Sequence, residues 1–261
     1  MTTAVLTAEQ FEPPSAPDFW QPLIGDGAFA ITRSMIVMVL VTIGLAVVMI
    51  MATRRLSVVP GRGQYKLEGV YGLVRNSIGR DIIGTDHFLP YVPLLFTLFT
   101  LILVNNLLGI IPPVQFPTMS RIGFPLALAL GVYIVYLVAG VRRRGLGGFL
   151  KSLVPGGLPV WVVPVVFLLE LVTFLVTRPV TLTLRLFGNM FAGHLLLVLF
   201  ITGGEYLVLH SGTPGYVPVG IFSWIMALVM TVFEILVEFL QAYIFVLLTA
   251  LYIAGSIADE H

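Results

Sequence analysis

The chain has 261 residues, 58% of them hydrophobic and only 10% charged, with a mean hydropathy of +1.02 and a formal net charge of +1. Soluble domains carry about 25% charged residues, so the soluble globular class is excluded and the composition is that of an all-α protein crossing a membrane several times. A chain without cysteine makes no disulfide, no thiolate metal site and no cysteine nucleophile.

The first stretch, "MTTAVLTAEQFEPPSAPDFW", is acidic, contains proline and lacks a basic n-region. It reads as part of a short solvated tail, residues 1–30, and not as a signal peptide. Uncharged apolar runs of bilayer length, about 20 residues, then follow. They are Ser34 to Thr53, Leu89 to Ile111 and Phe124 to Val141. A longer tract from Leu158 to about Thr202 is broken only by Glu170, Arg178 and Arg185, and the last, from about Val217 to Ala258, carries Glu234 and Glu238.

Basic residues orient these spans. Six cations lie between the first two: Arg54, Arg55, Arg62, Lys66, Arg75 and Arg80. The segment "RRRGLGGFLK" adds Arg142, Arg143, Arg144 and Lys151, whereas the loop after the second span has only Arg121 and the loop Gly203 to Tyr216 has no Lys or Arg. The positive-inside rule makes the two basic segments cytoplasmic. Five crossings result, with residues 31–261 as one transmembrane domain, the N-terminus outside and the acidic C-terminus "ADEH" inside. The segment "YKLEGVYGLVRNSIGRDIIG" has apolar residues at roughly helical spacing with basic ones between. It reads equally as an interfacial helix or as a basic loop.

The two last tracts exceed an upright span. Leu158 to Thr202 makes roughly 67 Å of helix, about twice the hydrocarbon thickness. One reading breaks it near Arg178-Pro179; but Pro179 to Arg185 contains no glycine, Asn-Gly or polar cluster to make a turn. Two long, strongly tilted or bent helices fit better.

Arg185 is the sharpest feature within these tracts. A central arginine costs at least about 2.5–3.5 kcal/mol on insertion scales, and it stays charged at any biological pH. It either snorkels to an interface or faces a carboxylate on another helix or chain. On a helix Asn189 shares its face, Arg178 falls within about 20° of it, and His194 lies about 180° away. His194 alone reads as well as a core histidine bonded to a carbonyl. Glu234, Glu238 and Gln241 are spaced i, i+4, i+7, with Ser223 near the same line. Such a stripe is either a structural polar seam or the lining of a water-filled path, and carboxylates favour the path. Asn105 and Asn106 interrupt the second span ahead of Gly109 and Pro112, where interhelical bonding and a functional role are both open. Glu170 is rotated about 60° from Arg185 and lies nearer the cytoplasmic end. No HExxH, GxSxG, Walker loop or metal-spaced cluster is found. Carboxylates, one histidine, amides and a fixed arginine suit proton transfer, not bond cleavage, and call for no cofactor.

"RPVTLTLRLFGNMFAGH" and "LQAYIFVLLTALYIAGSIADEH", with "NNLLGIIP" in support, resemble subunit a of the F-type ATP synthase membrane sector. The resemblance implies a stator subunit, not itself catalytic, in a bacterial plasma membrane. Its partners would be a rotating ring of c subunits with a carboxylate in mid-membrane, peripheral-stalk b subunits and the bilayer, with no nucleic acid. It also implies two offset aqueous half-channels beside two long tilted helices. By position Arg185 matches the essential arginine facing the ring carboxylate, and Asn189, His194, Glu234 and Gln241 match polar positions around it. Asn106 matches an outer half-channel position. Glu170 resembles the acid of the cytoplasmic half-channel, one residue farther from Pro179 than the family pattern. His194 and Glu234 are exchanged relative to many bacterial members, as in mitochondrial ones, and Gly109 stands where some bacterial members have an acid. Arg185's partner would then be on another polypeptide. A self-contained channel or secondary transporter is the alternative class; an intramembrane hydrolase lacks any nucleophile–base motif.

Overall fold

The computed structural model describes residues 11–15, 22–25, 30–54, 56–111, 118–151, 153, 158–159 and 161–257. Much of the expected tail, Pro112 and the "ADEH" terminus lie outside the described residues.

The chain is all-α apart from a small antiparallel pairing of β1 (Pro22–Ile24) with β2 (Ile31–Thr32). Five helical stretches are long and apolar enough to cross a membrane. The first, α1 (Arg33–Thr53), buries only Ser34 and is otherwise apolar all round, the surface of a helix facing lipid. Its start is pinned by Arg121, whose guanidinium donates to the buried Thr32 Oγ1 at 3.0 Å.

The basic segment is helical, which removes the loop reading. α2 (Arg62–Gly72) buries nothing, and the chain continues as a wider π-helical stretch, Leu73–Ile83, that buries Val74, Ile78, Gly79 and Ile83. That stretch packs on α3 (Val92–Ile110) and α7 (Val217–Ile257). Gly84, at φ 97°, ends it in a conformation that favours glycine. α4 (Gly123–Lys151) breaks direction at Gly145, φ 71°, immediately after its three arginines. The chain then folds back so that Phe149 packs on Gly140, where a Cβ would meet the ring at 2.5 Å.

The long fourth tract is continuous from Val163 to His210, 48 residues. It comprises α5 (Val163–Val172), a π-helical turn Thr173–Thr177, α6 (Arg178–Glu205) and a second π-helical turn Tyr206–His210. Thus the chain does not break at Arg178-Pro179. Pro179 lacks the N–H that would bond back one turn, and the widened turn just before it absorbs that loss. α7 follows with 41 residues. At about 1.5 Å per residue these helices reach roughly 72 and 62 Å; they fit a hydrocarbon layer of about 30 Å only if steeply inclined or extending beyond it.

α6 and α7 form an antiparallel hairpin. Ser223 Oγ donates to the Phe200 carbonyl at 2.8 Å and Trp224 Nε1 to that of Ile201 at 3.2 Å. Gly204 and Gly220 let the backbones close: a Cβ on Gly220 would lie 2.9 Å from the Gly204 carbonyl oxygen. At the far end of the pair, Phe174 collects Tyr133, Tyr136 and Phe149 at ring distances of 5.4, 5.4 and 5.3 Å. Arg178 lies over Phe174 at 5.6 Å and over Tyr252 at 5.2 Å.

Candidate ion-transfer site

The buried side of α6 runs through Leu182, Leu186, Met190, His194 and Leu197, while Arg185 and Asn189 are half-buried on a neighbouring face. Arg185 sits near the middle of the 48-residue helix, with more than about 30 Å of helix to either end. Among the described residues its side chain makes no hydrogen bond or ion pair. Arg178 is in the same α-helix, two turns before Arg185, and its guanidinium is engaged by Phe174 and by Tyr252 of α7.

The polar stripe of α7 turns inward. Glu234, Glu238 and Gln241 are 4%, 0% and 6% exposed. Neither carboxylate of the two glutamates, nor Gln241 Nε2, has a hydrogen-bond partner among the described residues. Ser223 belongs to a different task, the hairpin contact with Phe200.

Four contacts fix the register of the pair: Gly220 on Gly204, Ser223 on Phe200, Glu234 on Gly193, and Tyr252 under Arg178. Each step along α6 is therefore a step back along α7. Glu234 reaches the Gly193 backbone so closely that a Cβ there would lie 2.6 Å from its Oε1. Gly193 precedes His194, so the carboxylate and the imidazole stand at one level, as a hairpin of these two helices requires. Glu238 stands level with Asn189, one turn nearer Arg185.

α3 covers the same seam. Phe99 meets Phe239 edge-on at 6.0 Å, and Asn106, two turns farther along α3, comes to the level of Glu234. The two adjacent asparagines differ. Asn105 donates to the Leu101 carbonyl at 2.8 Å and accepts from Thr118 at 3.1 Å, a structural pairing. Asn106 is fully buried, and neither polar atom of its side chain has a hydrogen-bond partner among the described residues. An unbonded buried polar group costs about 1–3 kcal/mol, so the orphaned atoms of Asn106, Glu234, Glu238 and Gln241 are a concentrated cost with no structural return.

Glu170 is half-buried at the other end of the pair and lines a cavity of about 150 Å³ with Tyr136, Arg178, Tyr252 and Ser256. The π-helical turn Thr173–Thr177 lies between Glu170 and Pro179. A π turn takes up one extra residue within an α-helix. Eight sequence-derived positions thus fall into three places: Arg185 and Asn189 at mid-helix with Glu238 and Gln241 at the same levels on α7, His194, Glu234 and Asn106 on one side of them, and Glu170 on the other. Gly193 was not singled out by sequence. Its small size inside "FAGH", next to an ionisable residue in a membrane helix, was the signal available.

Buried carboxylates without hydrogen-bond partners among the described residues, on a membrane-crossing helix packed against one with an arginine at its middle, mark the class of ion-transporting membrane proteins. The chain belongs to the ATP synthase A chain family, whose model matches residues 34–254. It is 46% identical to a Nocardioides protein named ATP synthase subunit a, over 99% of this chain and 98% of that one. Proteins of the same name from Pseudarthrobacter chlorophenolicus and Rhodococcus erythropolis are 41% and 37% identical, covering 97% and 100% of this chain and 96% of each relative. It is a multi-pass membrane protein of the ATP synthase.

Proposed function

We propose that the protein is the proton-conducting stator of the ATP synthase membrane sector, working against a ring of c subunits, held by peripheral-stalk b subunits and performing no bond chemistry itself. Residues 31–261 act as one domain in a bacterial plasma membrane, with the tail 1–30 outside and the C-terminus inside. The observation that carries this reading is Arg185, a permanent charge at mid-helix with no partner among the described residues of its own chain. Its partner is then a carboxylate of each passing ring subunit.

A fixed cation favours the ionised form of a carboxylate beside it, so a ring carboxylate arriving at Arg185 releases its proton to the exit path. The same charge opposes a proton moving straight along α6 from one side to the other. Asn106, His194, Glu234, Glu238 and Gln241 supply proton-accepting and proton-donating atoms leading in from outside. Asn189, beside Arg185, orients the ring carboxylate, and Glu170 with its cavity begins the cytoplasmic path. Protons then cross only when the ring turns.

Isolation in mild detergent tests the proposal. The protein should copurify with a ring of small hairpin subunits and should not conduct protons alone in liposomes. Conduction by the purified chain, without a ring, would instead mark a self-contained channel.

A further inference from the structure

The cavity beside Glu170 takes its walls from α4, from the stretch α5 to α6 and from the end of α7, with Tyr136, Glu170, Arg178, Tyr252 and Ser256 as polar lining. At about 150 Å³ it has room for several waters, each taking about 30 Å³ in the liquid and needing about two to four polar partners. Glu170 and Arg178 are half-buried and make no hydrogen bond or ion pair among the described residues. The Arg178 guanidinium is held over the rings of Phe174 and Tyr252. Ser256 Oγ donates to the Ile253 carbonyl at 2.8 Å and keeps its accepting capacity.

Tyr136 is the sharpest case. It is 1% exposed. Its hydroxyl meets no partner at hydrogen-bonding geometry among the described residues, although Arg178 lies close enough to act on it electrostatically. Buried hydroxyls are normally bonded to protein or to ordered water, and the cavity it lines is where that water fits. The ring is fixed by Tyr133, Phe174 and Tyr252 at 5.2, 5.4 and 5.8 Å, so the hydroxyl is held in one place.

With Glu170 taken as the start of the cytoplasmic path, we propose that Tyr136 is a further residue of that path, positioning a short chain of waters between Arg178 and Glu170. A phenol hydroxyl donates one hydrogen bond and accepts others, so it fixes which way the waters beside it point. A water aimed at the Glu170 carboxylate gives it a proton and takes one from its neighbour along existing hydrogen bonds. Tyr136 ends each passage protonated, as it began. Filling by water does not depend on the net charge of the lining.

ATP-driven proton pumping by inverted vesicles carrying the assembled complex tests this. Tyr136→Phe removes the hydroxyl and keeps the ring; it should slow pumping about two- to tenfold, the effect of one hydrogen bond on a rate. Tyr133, one turn earlier, also has a buried hydroxyl without a partner among the described residues and packs on the same Phe174, but it does not line the cavity. Tyr133→Phe should therefore pump at the native rate. Tyr136→Phe combined with Glu170→Gln should be no slower than Glu170→Gln alone, because both act on one step. Ser256→Cys, in a chain with no cysteine of its own, should make pumping more sensitive to silver ion, a soft metal that thiolate binds, than the native complex is. Val246→Cys, in the buried apolar cluster, should not. Native pumping by Tyr136→Phe, equal slowing by Tyr133→Phe, multiplicative loss in the double variant, or silver-insensitive Ser256→Cys would overturn the assignment. If Glu170→Gln slows pumping and Tyr136→Phe does not, Tyr136 alone leaves the path; native pumping by Glu170→Gln would remove both residues from it.

Discussion

Gly193→Ala isolates the contact that sets Glu234 in place. The new Cβ would stand 2.6 Å from Oε1 and 3.1 Å from Cδ of Glu234, where ordinary contact begins at 3.4 Å. The end of the side chain must retreat by about 0.8 Å, which a flexible glutamate does for less than the ~1–3 kcal/mol of core overpacking. Alanine also returns about 0.5–1 kcal/mol of helix propensity over glycine. The two contributions nearly cancel, so thermal stability and assembly should stay within about 1 kcal/mol of native. Transfer between Glu234 and its neighbours should suffer, because a misplacement near 1 Å in a reacting geometry costs up to about 100-fold. A roughly tenfold slower ATP-driven proton pumping by inverted vesicles is expected, and Gly193→Val should be worse. Gly44→Ala, where nothing lies within 4 Å of the new Cβ, should pump normally. Native pumping by a fully assembled Gly193→Ala complex would refute the role given to the Glu234–Gly193 approach.

Three further outcomes follow from the same geometry. Glu234→Leu should slow pumping sharply and His194→Leu less so, while the exchange His194→Glu with Glu234→His should recover more than the product of the single exchanges; strictly multiplicative rates in this cycle would separate the two residues. Glu238→Leu removes a fully buried carboxylate without a hydrogen-bond partner among the described residues, so it should raise unfolding stability by about 1–2 kcal/mol while lowering pumping; a loss of stability would make the stripe a structural seam. A cysteine at Gly147 should be labelled by an impermeant thiol reagent from the cytoplasm, and one at Thr213 from outside, a position preferred to Gly212 because that residue sits at φ 64°; reversed labelling would exchange the two half-channels.

Much of this fold is legible in the sequence because lipid imposes a simple rule: apolar length sets spans. The starts and ends of α1 and α7 fall within a residue or two of their apolar limits. The continuity of α6 through Pro179 was legible from what the neighbourhood lacks, whereas the π-helical turn that accommodates the proline has no sequence signature and shows only in the backbone. The i, i+4, i+7 spacing correctly brought Glu234, Glu238 and Gln241 to one buried face. Helical angles do not say what the flexible Arg178 side chain meets, which is set by rings from the turn before α6 and from α7. Periodicity also cannot separate Asn105 from Asn106. The difference rests on Thr118, thirteen positions beyond Asn105 and brought back by the loop after α3. The depth at which Glu234 meets Gly193 likewise depends on the hairpin register set by Gly204, Gly220 and Ser223, a tertiary fact that no single helix encodes.

Separation of the two proposed paths depends on Arg185, and replacing that residue measures it directly. In inverted vesicles energised by respiration, Arg185→Ala and Arg185→Gln should abolish ATP synthesis in complexes that still assemble. Arg185→Lys, a compact charge without the planar donor array of guanidinium, should not restore native rates. ATP synthesis by Arg185→Ala at near-native rate would contradict the central claim, since the charge separating the two paths would then be dispensable.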